Sequence, residues 1–330
     1  MNGTARRVEV DDLGQLAEGS RLATGARVAV IVNRGAGRLP DRAWEERAAA
    51  ILARRLRPTF EHPVSGAETA RLAAEHARAG VAAVVVAGGD GTINRVVNEL
   101  AGTGVPIGIL PRGTANDFAR EVDLPLEIAA AARRVLEGGV RAIDVIDVNG
   151  RAFVTVGGLG LPAACALSVG RLKRAGGLAL VALAALGPAV YPVVAAANVL
   201  LRARRLHRLR ITYRRPDGRL RTVERESHGL FVANQRALGG GIGLPTRSDN
   251  SDGVFELALL SAESRASLLA TLAAMRLGRP VSRWTLGVWR AVEARIECER
   301  PLAFFGDGDE IGLARSFTVR VLPRALRVLR

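Results

Sequence analysis

The sequence predicts a two-domain protein in which an α/β domain with a parallel sheet is followed by a β-rich domain. The length of 330 residues suits about two domains at roughly 150 residues each. Apolar, strand-like runs alternate with helical patterns over about residues 25–140, which is typical of a parallel sheet. After Val140 the pattern changes to strands joined by tight turns, which favours antiparallel pairing.

Strands and helices follow one another through the first domain. The run VAAVVVA has no polar alternation, as expected of a parallel strand that is covered on both faces. In chain order, the predicted elements are a strand at 27–32, a helix at 41–56, a short strand at 60–63, a helix at 66–80, a strand at 81–87, a helix at 93–100 and a strand at 105–110.

Hairpins are predicted for the second domain. Asn149-Gly150 and Asp217-Gly218 are dipeptides that favour the two-residue turns of antiparallel hairpins. Further strands are predicted for HGLFVANQ, GVFELALL and RIECERPLAFFGDGDEIG. The last segment, residues 316–330, is predicted to be a terminal pair of strands.

Composition limits the class of partner and compartment. The net charge of +15 indicates an anionic partner such as a phosphorylated ligand, an acidic membrane face or nucleic acid. Aromatic residues make up only 4%, which argues against a protein that stacks single-stranded bases. Two cysteines provide no disulfide framework, so a reducing compartment is expected. Residues 1–24 lack the apolar region of a secretory signal and are predicted to be a polar extension.

An uncharged, Ala-rich segment occupies residues 176–201. Pro188 and Pro192 would break one continuous helix, so a buried or interfacial helix pair is favoured over a membrane span. Basic residues flank the segment, including RARRLHRLR directly after it. An apolar stretch between basic flanks suits a surface that rests on anionic lipid; a core helix with a solvated edge is the alternative.

Gly-rich turns follow three strands of the first domain: NRGAG at 33–37, GGDGT at 88–92 and PRGTAND at 111–117. The carboxyl ends of parallel strands meet at one edge of a sheet, where ligands bind. Glycine lets backbone N–H groups approach an anion, and the following helix adds its N-terminal dipole. These turns predict a nucleotide phosphate site, while the absence of GxGxxG and GxxxxGK[ST] disfavours a standard dinucleotide or Walker site.

These motifs resemble a known family. VVVAGGDGTINRVVNEL resembles the signature of the diacylglycerol kinase catalytic domain, and IGILPRGTANDFAR resembles its second block. NRGAG is similar to the family's opening turn, GGGIGLPTRSDNSDGVFEL to the block that ends in a DG pair, and FFGDGDEIG to the DGE block. The order and spacing match from about Arg27 to Leu329, as in a bacterial lipid kinase of the diacylglycerol and sphingosine kinase group.

The resemblance implies a three-layer α/β domain with a parallel sheet, a β-sandwich-like second domain and ATP as phosphoryl donor. It places a nucleotide-binding domain at 25–143, a lipid-substrate domain at 144–318 and a C-terminal segment at 319–330 that returns to the first domain. His62 takes a position where the family often has Thr. The implied nucleotide contacts are Asn33, Arg34, Gly35, Ala36, Gly37, His62, Gly88, Gly89, Asp90, Gly91, Thr92, Ile93, Asn94, Gly113, Thr114, Asn116 and Asp117.

A structural Mg²⁺ is implied in the second domain, at Asp249, Asp252 and the Val254 carbonyl. Carboxylate and carbonyl oxygens suit such a hard cation. The alternative is that Asp252-Gly253 forms only a hairpin turn. Likewise, Asp117 either contacts the ligand or caps the helix that begins near Phe118.

The implied chemistry is in-line attack of a lipid hydroxyl on the γ-phosphorus, with a carboxylate that takes the hydroxyl proton. Asp90 can reach Mg²⁺–ATP or the hydroxyl. The family's DGE triplet is Asp307-Gly308-Asp309 here, with Glu310 one residue later. Asp309 is therefore expected to be the base, Glu310 its reserve, and Asp307 a metal or orienting partner.

The function expected from this resemblance is that of an ATP-dependent lipid kinase acting on a diacylglycerol-like lipid or another long-chain alcohol. Its expected place is the cytoplasm, peripherally bound to the anionic inner face of the cell membrane, with homodimer formation left open. The alternatives are a soluble small-molecule kinase of the NAD kinase kind and a non-catalytic nucleotide- or lipid-binding homologue. Nucleic acid is not an expected partner, because no recognised binding motif supports it.

Overall fold

The computed structural model describes residues 16–34, 43–113, 116–175, 190–202, 206–237, 242–245 and 248–330. Contacts between residues group the chain into two units. The first unit comprises the described residues up to Ile143 together with Arg324–Arg330, and the second comprises Asp144–Pro323.

A parallel sheet forms the centre of the first unit. Its strands lie in the order β2 (Arg57–Glu61), β1 (Arg27–Val32), β3 (Ala83–Gly88) and β4 (Ile107–Pro111), followed by the end of β14 (Asp309–Leu329). All these pairs are parallel. Every residue of β3 and β4 is buried, which explains their uninterrupted apolar sequences. The predicted parallel α/β domain is confirmed.

Helices cover both faces of this sheet. They are α1 (Ala43–Leu52), α2 (Gly66–Arg78), α3 (Asp90–Leu100), α4 (Asp117–Glu121) and α5 (Ile128–Glu137). Buried residues of α1 and α5 share a cluster with Val28, Val30 and Val32 of β1. Ala29 and Ile31 are equally buried and point to the opposite face, because side chains alternate along a strand. Helix α2 contacts β1 and β3 there, and α3 contacts β3 and β4.

Several boundaries in the first unit differ from the sequence prediction. Helix α3 begins at Asp90 rather than near Ile93, because Gly89 is already the extended N-cap residue and the helix dipole favours a carboxylate in the first turn. Strand β2 occupies Arg57–Glu61 instead of 60–63, in register with Arg27–Ile31 of β1. The predicted helix at 41–56 is α1, which ends at Leu52 rather than at residue 56, because the chain turns at residues 53–55. Residues 41 and 42 lie outside the described part of the chain.

The second unit is built mainly from antiparallel strands. After β5 (Val140–Val148), which enters it from the first unit, come β6 (Arg151–Phe153), β7 (Val156–Gly160), β8 (His207–Arg214), β9 (Leu220–Ser227), β10 (Gly229–Ala233), β11 (Phe255–Leu260), β12 (Leu286–Ala291), β13 (Glu293–Gly306) and β14. The strand order is β12-β11-β10-β7-β13-β14, and β13 also pairs with β8, which pairs with β9. The predicted β-rich, antiparallel fold is confirmed.

The core and turns of the second unit match its sequence pattern. The Phe304 ring lies 6.5 Å from that of Phe153 and 5.0 Å from that of Phe317 in the largest hydrophobic cluster. The hairpin predicted at Asn149-Gly150 is confirmed, since both residues have positive φ and join Val148 to Arg151. The hairpin predicted at Asp217-Gly218 joins β8 to β9.

The predicted terminal pair of strands is wrong. Residues 316–329 belong to one continuous strand, β14, which runs from Asp309 to Leu329. Pro323 fits because its φ is compatible with extended backbone, and Arg324 takes a positive φ of 53° without ending the strand. Pairing with β13 is recorded up to Arg320, and pairing with β4 begins at Val328.

The described part of the second unit also contains the helices α6 (Leu161–Ala175), α7 (Val190–Arg202) and α8 (Arg265–Arg276). Helix α7 contacts both α6 and α8. The middle of the uncharged segment, residues 176–189, lies outside the described residues. Among the residues that the structure describes, no helix is both long and apolar enough to cross a bilayer.

Candidate active site

The Gly-rich turns of the first unit are brought together because β1, β3 and β4 are parallel and β3 pairs with both of the others. Asn33 donates from Nδ2 to Oγ1 of Thr92 over 2.7 Å, which joins the first turn to the second. The backbone N–H of Arg112 donates to the Gly88 carbonyl over 2.8 Å, which joins the third turn to the second. We call Asn33, Gly88–Asn94, Arg112, Gly113 and Asn116 the turn cluster. Gly35, Ala36, Gly37 and Thr114 lie outside the described residues, and Arg34 is exposed.

Two glycines hold the second and third turns in close approach. A Cβ atom on Gly113 would lie 2.7 Å from the Gly89 Cα and 2.8 Å from Oδ1 of Asn116. A Cβ atom on Gly89 would lie 2.9 Å from the Gly113 Cα. Real Cβ atoms do not approach backbone so closely, so the geometry requires glycine at both positions.

Asn116 closes the third turn with its whole amide group. Its Oδ1 accepts from Gly113 N over 2.7 Å, and its Nδ2 donates to the Gly113 carbonyl over 2.9 Å. The residue is buried and has a left-handed backbone, with φ of 51°. Asp117 is the first residue of α4, and Asn116, not Asp117, takes the N-cap position.

Asp90 links the second turn to the start of α4. Its Oδ1 accepts a hydrogen bond from Phe118 N over 3.2 Å. The residue is half-buried at the first position of α3. The N-cap residue of α3, Gly89, provides no side-chain hydrogen bond to the first turn of this helix. Ile93 and Asn94 are both buried in the packed side of α3.

The sequence prediction did not single out Arg112, the cation of the third turn. Its guanidinium carbon lies 4.2 Å from the centre of the Trp44 ring. Burial lowers the pKa of Arg112, and the nearby Glu45 carboxylate opposes that shift. Glu45 also pairs with Nε2 of His62 over 2.7 Å, so the predicted nucleotide contact His62 has a carboxylate partner in the structure.

Asp307 in the second unit begins the turn between β13 and β14. Its Oδ1 accepts from Thr155 N over 2.8 Å and from the Thr155 hydroxyl, and its Oδ2 accepts from Val154 N over 3.0 Å. Asp307 and Gly308 both have positive φ, as a two-residue hairpin turn of type I′ requires. The carboxylate of Asp307 therefore fixes the hairpin that carries the next two acidic residues.

Asp309 and Glu310 are the first residues of β14. Asp309 pairs with Gly306 and is half-buried, whereas Glu310 pairs with Phe305 and is exposed. Successive side chains of a strand point to opposite faces. The two carboxylates are therefore expected to point to opposite faces of the sheet, so Glu310 does not occupy the place of Asp309.

The predicted metal ligands Asp249 and Asp252 lie in a loop near two acidic residues that the sequence prediction missed, Asp144 of β5 and Glu256 of β11. Asp249 Oδ1 accepts from the N–H and hydroxyl of Ser251, while Asp252 Oδ1 accepts from Val254 N and its Oδ2 pairs with Arg290. Burial raises the pKa of Asp252; Arg290 opposes this, and Asp249 and Asp144 add to it. Within the described ranges, no group of at least three His, Cys, Asp or Glu residues has the geometry of a metal site.

Glu256 and Asp144 are the most buried of the acidic residues around this loop. Ser248 donates its hydroxyl to Glu256, and Asp144 Oδ2 accepts from Gly253 N over 2.6 Å. Burial raises the pKa of Glu256; the Ser248 hydrogen bond opposes this, and Asp252 adds to it. Arg290 lies 3.7 Å from Glu256, so one guanidinium faces both Glu256 and Asp252.

Comparison with known proteins decides the family. The model of the diacylglycerol kinase catalytic domain matches residues 27–148, and the model of the YegS C-terminal NAD kinase beta sandwich-like domain matches residues 171–330. Diacylglycerol kinase of Mycobacterium tuberculosis strain H37Rv is 30% identical over 263 residues, which cover 76% of this chain and 77% of that protein. The chain belongs to the diacylglycerol kinase family of lipid kinases.

Other members of the family agree with this assignment. A probable lipid kinase YegS-like protein of Serratia proteamaculans is 32% identical over 269 residues, covering 78% of this chain and 80% of that one. A solved structure of a diacylglycerol kinase from Bacillus anthracis strain Sterne superposes with a TM-score of 0.67 at 20% identity, over 92% of this chain and 96% of that chain. The resemblance read from the sequence and the fold that it implied are both confirmed.

Proposed function

We propose that this lipid kinase transfers the γ-phosphate of ATP to the hydroxyl of a diacylglycerol-like lipid or another long-chain alcohol. The observation that carries the proposal is the turn cluster. Its hydrogen bonds and glycine contacts join three chain reversals at the carboxyl ends of adjacent parallel strands. Such an edge is where α/β sheets bind phosphate groups.

The turn cluster offers three kinds of group to a triphosphate. Backbone N–H groups lie at the start of α3, whose dipole favours negative charge. Asn33 and Thr92 contribute polar side chains, and Arg112 contributes a cation stacked on Trp44. Because the glycine pair forces the turns together, these groups are positioned before the ligand arrives, which limits the ordering cost of binding.

The loop of the second unit that carries Asp249 and Asp252 offers the oxygen ligands that a Mg²⁺ site needs. Asp249, Asp252 and the Val254 carbonyl would hold the ion, because hard cations take carboxylate and carbonyl oxygens. The raised pKa of Asp252 reflects burial first, and its acidic neighbours Asp249 and Asp144 add to it. When bound, Mg²⁺ would supply positive charge that fixes this loop, in competition with Arg290 for Asp252.

In the proposed reaction, the lipid hydroxyl loses its proton to the Asp309 carboxylate while its oxygen bonds to the γ-phosphorus. The bond to the β-phosphate oxygen breaks, and ADP leaves with that electron pair. Asp309 is preferred over Glu310 because it is half-buried, where a carboxylate is less solvated and better oriented. The three hydrogen bonds of Asp307 hold the hairpin that presents it.

Helix α7 supports a peripheral position on an anionic membrane. Val193, Leu200 and Leu201 are exposed on it, with Leu201 at 80% exposure. Arginines of β8, including the exposed Arg208 and Arg210, follow in the sequence. Apolar side chains beside basic ones suit insertion at the inner, anionic face of the cell membrane from the cytoplasm.

The proposal is tested by incubating the protein with γ-labelled ATP and a total lipid extract, with and without dispersing detergent. We expect label in the organic phase only when lipid is presented. Label on a water-soluble acceptor would instead favour the small-molecule kinase. Binding of ATP without transfer to any acceptor would favour a non-catalytic homologue.

A further inference from the structure

An open pocket of about 560 Å³ lies in the first unit and shares no residue with the turn cluster. Its lining contains four arginines and one acidic residue: Arg21, Arg133, Arg134, Arg330 and Glu137. Arg21 precedes β1, Arg133 and Arg134 lie on α5, and Arg330 directly follows β14. We call this the arginine pocket.

The arginine pocket is built by close approach of three chain segments. The backbones of Gly139 and Arg330 exchange two hydrogen bonds, of 2.9 and 3.0 Å, and Val140 exchanges two with Gly19 and Ser20. A Cβ atom on Gly138 would lie 2.6 Å from the Arg330 carbonyl oxygen, and one on Gly139 would lie 2.9 Å from the Gly19 carbonyl oxygen. The convergence of these arginines is therefore a consequence of fixed backbone contacts.

Within the described residues, carboxylates compensate the charges of this pocket only in part. Arg330 pairs with Asp123 over 3.2 Å, but Asp123 is 83% exposed. Among the residues that the structure describes, Arg21, Arg133 and Arg134 form no ion pair with a carboxylate. Glu127, which attracts Arg133, is committed to the N-terminus of α5: hydrogen bonds from Ala129 and Ala130 are the main cause of its lowered pKa.

We propose that the arginine pocket binds a phosphate-bearing anion and that this site is separate from the turn cluster, where ATP is proposed to bind. Guanidinium groups present paired N–H donors that match phosphate oxygens, and several of them facing one concavity suit a doubly charged group. The source of the phosphate is a soluble compound or the headgroup of an anionic lipid. This inference goes beyond the proposed kinase reaction and uses none of its residues.

The test compares wild type with Arg133→Gln/Arg134→Gln. Arg54→Gln/Arg78→Gln is the matched control, because it removes the same charge from exposed positions of the same unit. Pyrophosphate is titrated calorimetrically, and retention is measured on phosphatidylcholine vesicles with and without phosphatidic acid. We expect one class of pyrophosphate sites to weaken at least about tenfold in the pocket variant and to persist in the control.

The two arms separate the sources of the phosphate. If the pocket variant is also retained less than wild type on phosphatidic acid vesicles, the ligand is a lipid headgroup. If only its pyrophosphate binding weakens, the ligand is a soluble phosphate. Arg133→Lys/Arg134→Lys keeps the charge but loses the paired N–H donors, so it should bind more weakly than wild type and more tightly than the glutamine variant. Arg21→Gln should weaken binding without touching α5, so misfolding of one variant cannot imitate the result. Equal pyrophosphate and vesicle binding by wild type and all variants would overturn the proposal.

Discussion

The turn cluster of the first unit and the hairpin of the second unit that carries Asp307, Asp309 and Glu310 are assembled by opposite means. The turn cluster depends on what glycine lacks, since a single Cβ atom at Gly113 would collide with Gly89 and with Asn116. The hairpin depends on what Asp307 has, a carboxylate that accepts three hydrogen bonds. The close approach of the turns is therefore set by the backbone and tolerates no added atom at these glycines, whereas the hairpin is held by a side chain and is sensitive to the loss of either carboxylate oxygen.

The largest effect on phosphoryl transfer is expected from a substitution in the hairpin of the second unit. Replacing Asp309 by Asn removes the proposed proton acceptor and should lower phosphoryl transfer by about 10²- to 10⁴-fold while leaving ATP binding intact. Glu310→Gln is the matched control, because this residue lies next along the strand and faces the opposite side. Turnover on a fixed lipid acceptor decides the matter, and the base would have to be reassigned if the control were the more damaged variant.

The second largest effect is expected from a substitution in the turn cluster that leaves its glycines in place. Asn116→Ala removes both hydrogen bonds that close the Gly113 turn and leaves a left-handed backbone without an asparagine to favour it. We expect kcat/KM to fall about tenfold or more and the unfolding free energy to fall by about 1–2 kcal/mol. Steady-state kinetics together with urea unfolding measure both. An unchanged KM for ATP would show that closure of this turn is not needed for nucleotide binding.

Asp307→Ala probes the hairpin through stability. It leaves the N–H groups of Val154 and Thr155 without their acceptor, at a cost of about 1–3 kcal/mol in unfolding free energy. Urea unfolding monitored by circular dichroism should show the shift. Asp217→Ala, in the exposed turn between β8 and β9, is the control and should change the midpoint little. Equal shifts for the two variants would mean that the three hydrogen bonds do not hold the hairpin.

The smallest expected effect concerns pH. Because burial raises the pKa of Glu256 in the folded state, the folded protein binds the proton more tightly than the unfolded chain does. Stability from this group is therefore present below its unfolded pKa, about 4.3, and is lost as pH rises through the higher folded value. Glu256→Gln should flatten the fall in unfolding free energy as pH rises above about 4.3, and Glu226→Gln, which is exposed, should not. Urea midpoints across this range measure the slope, and a slope as steep in Glu256→Gln as in wild type contradicts the assignment.

The sequence predicted those parts of the molecule that depend on local pattern. The buried strand β3 follows from an apolar run without alternation, and the glycines of the turn cluster follow from their position after parallel strands. The bond from Phe118 N to Asp90, the stacking of Arg112 on Trp44 and the facing of Arg290 to Asp252 were not predictable. Each joins segments far apart in the chain, so each depends on register and packing that no local pattern contains. The single strand β14 was missed for a related reason, because its pairing partners change near Pro323 without ending it.

The most direct test of the central claim is calorimetric titration of ATP into wild type, Gly113→Ala and Gly312→Ala. The two variants add the same methyl group, but a Cβ atom on Gly312 meets nothing within 4 Å, whereas on Gly113 it meets the Gly89 backbone. We expect wild type and Gly312→Ala to bind ATP alike and Gly113→Ala to bind at least about tenfold more weakly, which corresponds to about 1.4 kcal/mol. Equal ATP affinity in a correctly folded Gly113→Ala would contradict the claim that the close-packed turns hold the triphosphate.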